Sequence, residues 1–151
     1  MATADTTRAR GPSDRTPAQL YSLIFGVTLL LAGVLGFIAD ASFGNLGSDV
    51  NGDKLVVFEV NGWNNLVHIA SGVVGLAMAG KPSSARLFAL GFGAVYLLVT
   101  LIGLIDGNSV LGLLPVNSAD NLLHAAIALA GIAAGLLSSP ATEASSRPRT
   151  A

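Results

Sequence analysis

The two histidines of the chain are the residues whose type and spacing best suit binding or proton chemistry. Each histidine follows two asparagines at the same spacing: the second asparagine lies four positions after the first, and the histidine lies three positions after the second. The two copies are Asn61, Asn65, His68 and Asn117, Asn121, His124. Imidazole titrates near neutrality and is a common metal and haem ligand, so the pattern raises proton transfer, metal binding and haem ligation as candidate chemistry.

Residues spaced by four and three lie on one face of an α-helix. In both copies the polar residues continue at this spacing into small ones: Gly72, Gly75, Ala79 in the first and Ala128, Gly131, Gly135 in the second. Small residues let membrane helices approach closely. The pattern therefore predicts that helices 2 and 4 pack along a small-residue seam, with the asparagines and histidines meeting at one end of it.

The composition indicates a membrane protein. Hydrophobic residues make up 52% of the 151 and charged residues only 11%, whereas a soluble domain has roughly 25% charged residues. The net charge of −1 gives no support for a nucleic-acid partner. The chain has no cysteine, which excludes disulfides and thiolate metal sites.

Four apolar stretches predict an all-α transmembrane domain over residues 19–137. We expect helices at about 20–39, 64–79, 87–105 and 119–137, and disordered polar tails at 1–18 and 138–151. A cleavable signal peptide is the alternative for the first stretch, but the apolar run is longer than the ~7–15 residues of a signal core. Residues 54–60 are β-branched and aromatic, which favours a short strand or hairpin, with an interfacial loop as the alternative.

The basic residues predict the orientation. Seven of the eight lysines and arginines lie in the two tails and the turn between helices 2 and 3, and Lys54 is the exception. The positive-inside rule therefore places both termini in the cytoplasm.

The chain also contains an internal repeat. Phe25-Gly26 and Gly36 of helix 1 recur 67 positions later in helix 3, and the asparagine–histidine pattern recurs after 56 positions. Each half is a helix, an outer loop and a helix, so the halves have the same topology. This predicts a four-helix bundle of two tandem parallel repeats, related by a pseudo-two-fold axis along the membrane normal.

Three interpretations of the polar residues remain open. The Asn and His side chains could hydrogen-bond to one another and to the loops, as architecture. His68 and His124 could instead bind haem or a transition metal, with Asp120 or Asp106 as a third ligand. The cluster could also form a proton-titrating or small-solute site, since a helix N-terminus stabilises the Asp120 anion. No catalytic motif is present, so we expect a non-enzymatic protein without a cofactor.

Three segments carry a resemblance to a known family. The segments are Phe58-Glu59-Val60-Asn61, Asn65-Leu66-Val67-His68 and Ala119-Asp120-Asn121-Leu122-Leu123-His124. Together with four predicted helices, they resemble the DUF4383 family of bacterial membrane proteins of unknown function. The resemblance implies a multi-pass protein of the bacterial cytoplasmic membrane. For such a protein we expect the lipid bilayer, and a second copy or another membrane protein, as partners. Many members have a histidine where this chain has Asn64, which argues against a three-histidine metal site here.

Overall fold

The computed structural model describes residues 15–44, 50 and 52–138. Within these residues the chain forms four helices and two short antiparallel hairpins, and it is mostly helical. The helices are α1 (Pro17–Ala39), α2 (Gly62–Met78), α3 (Pro82–Asp106) and α4 (Ser118–Leu137). The strands are β1 (Asp53–Leu55), β2 (Phe58–Val60), β3 (Ser109–Val110) and β4 (Leu114–Pro115). The predicted tails lie outside the described residues, apart from 15–18 and 138.

Two helices begin earlier than the sequence analysis predicts, because their N-terminal signals lie in polar segments. α1 starts at Pro17, where the Thr16 side chain accepts a hydrogen bond from the Gln19 N–H and the Gln19 side chain accepts one from the Thr16 N–H. This reciprocal capping box satisfies two N–H groups that a helix end leaves free. α3 starts at Pro82, whose fixed φ suits the first helical position.

A hairpin precedes each of the helices that carry the asparagine–histidine pattern. The predicted β segment of the first outer loop is confirmed as the hairpin β1–β2, in which Asp53 lies opposite Val60. The second hairpin, β3–β4, was not predicted from the sequence. Each turn contains an apolar residue in the left-handed region, Val56 at φ 64° and Leu111 at φ 58°.

The helices pack in sequence-adjacent pairs, α1 along α2 and α3 along α4. Gly72 of α2 lies against the backbone of Gly26 and Leu30 in α1, and Gly93 of α3 lies against the backbone of Ala128 in α4. The prediction of a small-residue seam between helices 2 and 4 was therefore wrong. Gly75, Gly131 and Gly135 also face α1 or α3, because those helices carry the matching glycines and the aromatic side chains that fill the space.

Small and polar residues are buried in this protein and large apolar residues are exposed, which is the reverse of a soluble domain. The buried positions of α1 are mostly small or polar, and they include Ser22, Gly26, Gly33 and Gly36. Large apolar side chains instead cover its outer surface, as Ile38 does at 79% exposure. This distribution suits a helix surrounded by lipid. Three helices, α1, α3 and α4, are long and apolar enough to cross a membrane, whereas α2 has only 17 residues.

At the end of the helices remote from the hairpins, side chains join the helix pairs. The Tyr21 hydroxyl donates to the Ile127 carbonyl at 3.1 Å, and the Ser22 hydroxyl donates to the Ala85 carbonyl at 3.4 Å. Aromatic rings of Tyr21 and Phe88 lie nearby, with centroids 6.3 Å apart. These contacts lie in a buried cluster formed by α1, α3 and α4.

Candidate functional site

The polar residues at the hairpin end form two groups with different environments. We name the first group the asparagine cluster, which comprises Asn61, Asn64, Asn65, Asn117, Asp120 and Asn121. The second group is the histidine pair, His68 and His124. Each member of the pair lies about one turn further along its helix than the cluster.

The cluster begins with the residues that cap α2 and α4, and each cap also holds the hairpin of the other half. Asn61 accepts a hydrogen bond from the Asn64 N–H at 2.9 Å, while its amide donates to the Leu113 carbonyl at 3.0 Å. Asn117 accepts from the Ala119 and Asp120 N–H groups. Its amide donates to the Val57 carbonyl at 2.9 Å. Asn117 is thus the N-cap of α4.

The main chain of Glu59 is held from two helices at once. Its N–H donates to the carboxylate of Asp120 at 3.1 Å, and its carbonyl accepts from the amide of Asn64 at 3.0 Å. The same Asp120 oxygen accepts from the Asn117 N–H at 2.9 Å, and the Asn64 amide also reaches the Pro115 carbonyl at 3.3 Å. Asp120 and Asn64 are 5% and 8% exposed, so these bonds form away from bulk solvent.

The side chains of Asn65 and Asn121 lie instead at close contacts between paired helices. Asn65 is fully buried and donates to the Asp40 carbonyl at 2.7 Å. Its Oδ1 lies where a Cβ on Gly36 would be, and Oδ1 of Asn121 lies in the same way against Gly103. Neither oxygen has a hydrogen-bond partner among the described residues. Only glycine at 36 and 103 leaves room for these amides.

The histidine pair lines a cavity of about 430 Å³ between α1 and α4 beneath the first hairpin. Apolar side chains of α1, α4 and the hairpin form most of its wall, and its polar contributors are Thr28, Glu59, Asn64, His68, Tyr96, Asp120 and His124. Both histidines also line a second cavity of about 260 Å³ between α2 and α3 beneath the second hairpin. Both histidines therefore border both spaces.

The histidines make few polar contacts with the protein. Nδ1 of His68 and Nδ1 of His124 are buried and have no hydrogen-bond partner within residues 15–44, 50 and 52–138. The ring of His124 meets Tyr96 edge to face, with centroids 5.1 Å apart. The interpretation that the histidines bond to the asparagines finds no contact in this part of the chain. Asn61, Asn64 and Asn117 instead bond to the hairpin segments, and Asn65 bonds to the Asp40 carbonyl.

The candidate third metal ligands are used elsewhere. Asp120 accepts the two N–H groups described above, and Asp106 accepts a hydrogen bond from the Ser109 hydroxyl at 2.8 Å, at an exposed helix end. Within the described residues no group of three His, Asp or Glu side chains is arranged to hold a metal ion. The described residues thus offer two imidazoles, which are fewer protein ligands than zinc or copper sites usually have.

Two further residues complete the hairpin end. Trp63 packs edge to face on Phe43 at 5.0 Å, and its Nε1 is buried with no partner among the described residues. Asp40 ends α1 and accepts hydrogen bonds from the N–H groups of Ser42 and Asp53. Slight burial alone would raise the pKa of Asp40, but these hydrogen bonds outweigh that effect and hold the pKa below its ordinary value.

Sequence reasoning missed two functional positions, Asn64 and Tyr96. Asn64 was noted only as a departure from the family pattern, yet it lies 56 positions before Asp120 and so occupies the equivalent place in the repeat. Tyr96 was not singled out from the sequence. Its position 28 residues before His124 gives no signal that the two rings meet.

These features define a mostly helical membrane protein with a polar, hairpin-covered end. The chain belongs to the family described as a domain of unknown function, DUF4383, whose model matches residues 19–137. The family expected from the asparagine–histidine segments is thereby confirmed. No curated protein and no solved structure matches the chain significantly.

Proposed function

We propose that this protein is a non-enzymatic structural or interaction protein of the bacterial cytoplasmic membrane, which presents its two hairpins as one fixed outer surface. The observation that carries the proposal is the double attachment of Glu59, whose N–H is held by Asp120 and whose carbonyl is held by Asn64. A hairpin held from α2 and α4 keeps its position relative to both helices. Such a surface suits recognition of another membrane protein or of a second copy.

The proposal includes a four-helix bundle of two tandem repeats. Contacts that recur at offsets of 67 and 56 positions support it. Gln19 donates to the Ala79 carbonyl at 3.1 Å, and the equivalent Arg86 donates to the equivalent Gly135 carbonyl at 3.0 Å. Further equivalent contacts are Gly36–Asn65 with Gly103–Asn121, and Gly75–Phe88 with Gly131–Tyr21. The last pair crosses between halves, as a pseudo-two-fold axis requires.

The proposed orientation places both termini and the turn between α2 and α3 in the cytoplasm, with the hairpins outside. It rests on the distribution of basic residues. The chain has no cysteine, so single introduced cysteines give an unambiguous test. In intact cells a membrane-impermeant thiol reagent should label Asn108→Cys and leave Ser83→Cys unlabelled. The opposite labelling would overturn the orientation.

The recognition role is tested by photo-crosslinking in cells. A photoreactive residue replaces the exposed Lys54 on the first hairpin, and a matched control replaces the exposed Leu87 near the other end of α3. We expect a discrete protein adduct from position 54 that disappears in the Asp120→Ala background, where the hairpin loses its attachment. Position 87 should give only lipid adducts. No adduct from position 54, or an adduct unchanged by Asp120→Ala, would contradict the proposal.

A further inference from the structure

The larger cavity is lined by two histidines that make no hydrogen bond to the described residues. His68 and His124 both reach it, and Nδ1 of each ring is buried without a partner in the described part of the chain. A buried polar atom without a hydrogen bond costs free energy, and such atoms are rare in native structures. Both Nδ1 atoms are enclosed by the protein, and neither ring makes a hydrogen bond to a described residue, so the parts of the rings that line the cavity are where a bound molecule can offer each imidazole a hydrogen bond.

The walls of this cavity point to a ligand from the bilayer. Its buried side includes Leu29 and Ile127, which are 4% and 5% exposed. Its edge includes Leu31 and Leu35 of α1, which are 56% and 50% exposed on the apolar surface of that helix. The cavity therefore opens toward the side of the protein that suits contact with lipid, and a hydrocarbon chain can enter without crossing water.

The charged groups at the cavity restrict the head group of the ligand. Glu59 and Asp120 line it, and no lysine or arginine is among its described lining residues. An anionic head such as a carboxylate or phosphate would be repelled there. A neutral imidazole offers one N–H donor and one acceptor nitrogen; a hydroxyl can donate to the nitrogen or accept from the N–H, and a carbonyl oxygen can accept from the N–H. A permanent cation such as a quaternary ammonium would be attracted by the acidic residues near the hairpin, but it has no group that can hydrogen-bond with the histidines.

The size of the cavity sets the bulk of the ligand. A volume of about 430 Å³ lies within the ~300–1,000 Å³ of small-molecule sites. It accommodates one hydrocarbon chain or a small ring system, and it is too small for a phospholipid with two full chains.

We propose that the larger cavity binds an uncharged, single-chain amphiphile from the bilayer, whose hydroxyl or carbonyl oxygen hydrogen-bonds with His68 and His124. The apolar walls hold the chain, and the histidine pair holds the head. This site goes beyond the structural role proposed above and does not depend on it, since the hairpin attachments use the asparagine cluster.

The test compares four molecules that share a twelve-carbon chain and differ in their head. They are dodecane, dodecanol, laurate and dodecyltrimethylammonium. The full-length protein is placed in lipid nanodiscs with its histidine rings labelled with ¹⁵N. Because the chain has two histidines, every ring signal reports on the proposed site. We expect dodecanol to shift the ring signals saturably, with about fivefold to tenfold tighter binding than the other three, the difference that a hydrogen bond supplies.

Variants locate the site. His68→Phe and His124→Phe keep a ring of similar shape but remove the hydrogen-bonding nitrogens, and each should weaken retention of radiolabelled dodecanol by about fivefold or more. Trp63→Phe is the matched control, because it also removes an unpartnered ring N–H at the same end of α2, and Trp63 is not among the residues that line either cavity. It should retain dodecanol like the wild type.

The outcomes separate the alternatives without relying on any variant. Absence of a saturable shift with all four molecules would overturn the site. Equal binding of dodecane would show that the histidines take no part, and tighter binding of laurate or of the cation would overturn the assignment of an uncharged head. Failure of the hairpin crosslink with an intact dodecanol shift would reject only the recognition role.

Discussion

The asparagine cluster and the histidine pair lie on the same two helices about one turn apart, but their polar atoms are used differently. Asn61, Asn64, Asn117 and Asp120 direct their side chains to main-chain groups of the hairpins and caps. The histidines line two cavities instead, and Nδ1 of each ring has no partner among the described residues. These four residues therefore differ from the histidines, whereas Asn65 and Asn121 lie between the two cases, since their Oδ1 atoms are also unpaired among the described residues but pack against glycine.

This difference separates stability from binding. A residue whose hydrogen bonds all go to the protein is expected to contribute to folding, and its removal leaves buried groups unpaired. A residue that has no protein partner has little such contribution to lose. Substitutions in the cluster should therefore lower stability, while conservative substitutions of the histidines should affect what the cavity holds.

The largest effect is expected for Asp120→Ala. The change leaves the N–H groups of Glu59 and Asn117 without their acceptor, and we expect the free energy of unfolding to fall by about 2–4 kcal/mol. Unfolding in detergent can be followed by the fluorescence of Trp63, the single tryptophan. Asp120→Asn is the control, since its carbonyl oxygen can still accept, and it should lose less than half as much. Equal losses in both variants would mean that charge, rather than the acceptor, holds the hairpin.

Gly36→Ala and Gly103→Ala should have the next largest effect. A Cβ at either position meets the amide of Asn65 or Asn121, so the amide must move from its buried place or the paired helices must separate. Overpacking of this kind costs about 1–3 kcal/mol. The control is Gly91→Ala on α3, where a Cβ meets open space, and it should be neutral or stabilising by up to ~1 kcal/mol. If all three substitutions behaved alike, the two amides would not set the helix spacing.

His68→Phe and His124→Phe test whether the histidines contribute to stability. Neither change removes a hydrogen bond to a described residue at Nδ1, and phenylalanine fills a similar space, so we expect stability to change by less than about 1 kcal/mol. The same unfolding assay in detergent free of added amphiphiles measures it. A loss as large as that of Asp120→Ala would place the histidines with the architecture and remove the basis of the comparison.

Much of the helical fold could be predicted from composition and periodicity. Apolar stretches identified four helices, and β-branched residues at 54–60 identified the first hairpin. The first residues of α1 and α3 were missed because Thr16, Pro17 and Pro82 lie in polar segments, where helix-capping signals outweigh hydrophobicity. The second hairpin is only two residues long on each strand, which is too short to give a periodic signal.

The site was harder to predict, for a geometric reason. A helical face shows which residues point the same way but not which neighbour they face. The small residues of α2 and α4 looked complementary to one another, although α1 and α3 carry glycines at 26, 36, 93 and 103 that provide the closer fit. The cavities arise from the space between helix pairs, and no pattern within one helix reports a space.

The smallest effect concerns Asp40, which joins the end of α1 to the first hairpin and to Asn65. Because hydrogen bonds from Ser42 and Asp53 hold its pKa below the ordinary ~3.9, Asp40 contributes stability above that pH and loses the contribution as the pH falls through its folded value. The difference in unfolding temperature between wild type and Asp40→Asn should therefore be constant from pH 7 to about 5 and should shrink below about pH 4. Other carboxyls titrate in the same range, so the difference between the two proteins, not either curve alone, is the measurement. A difference that grew on acidification would mean that the carboxylate destabilises this end of the protein, and the hairpin would then depend on the asparagine cluster alone.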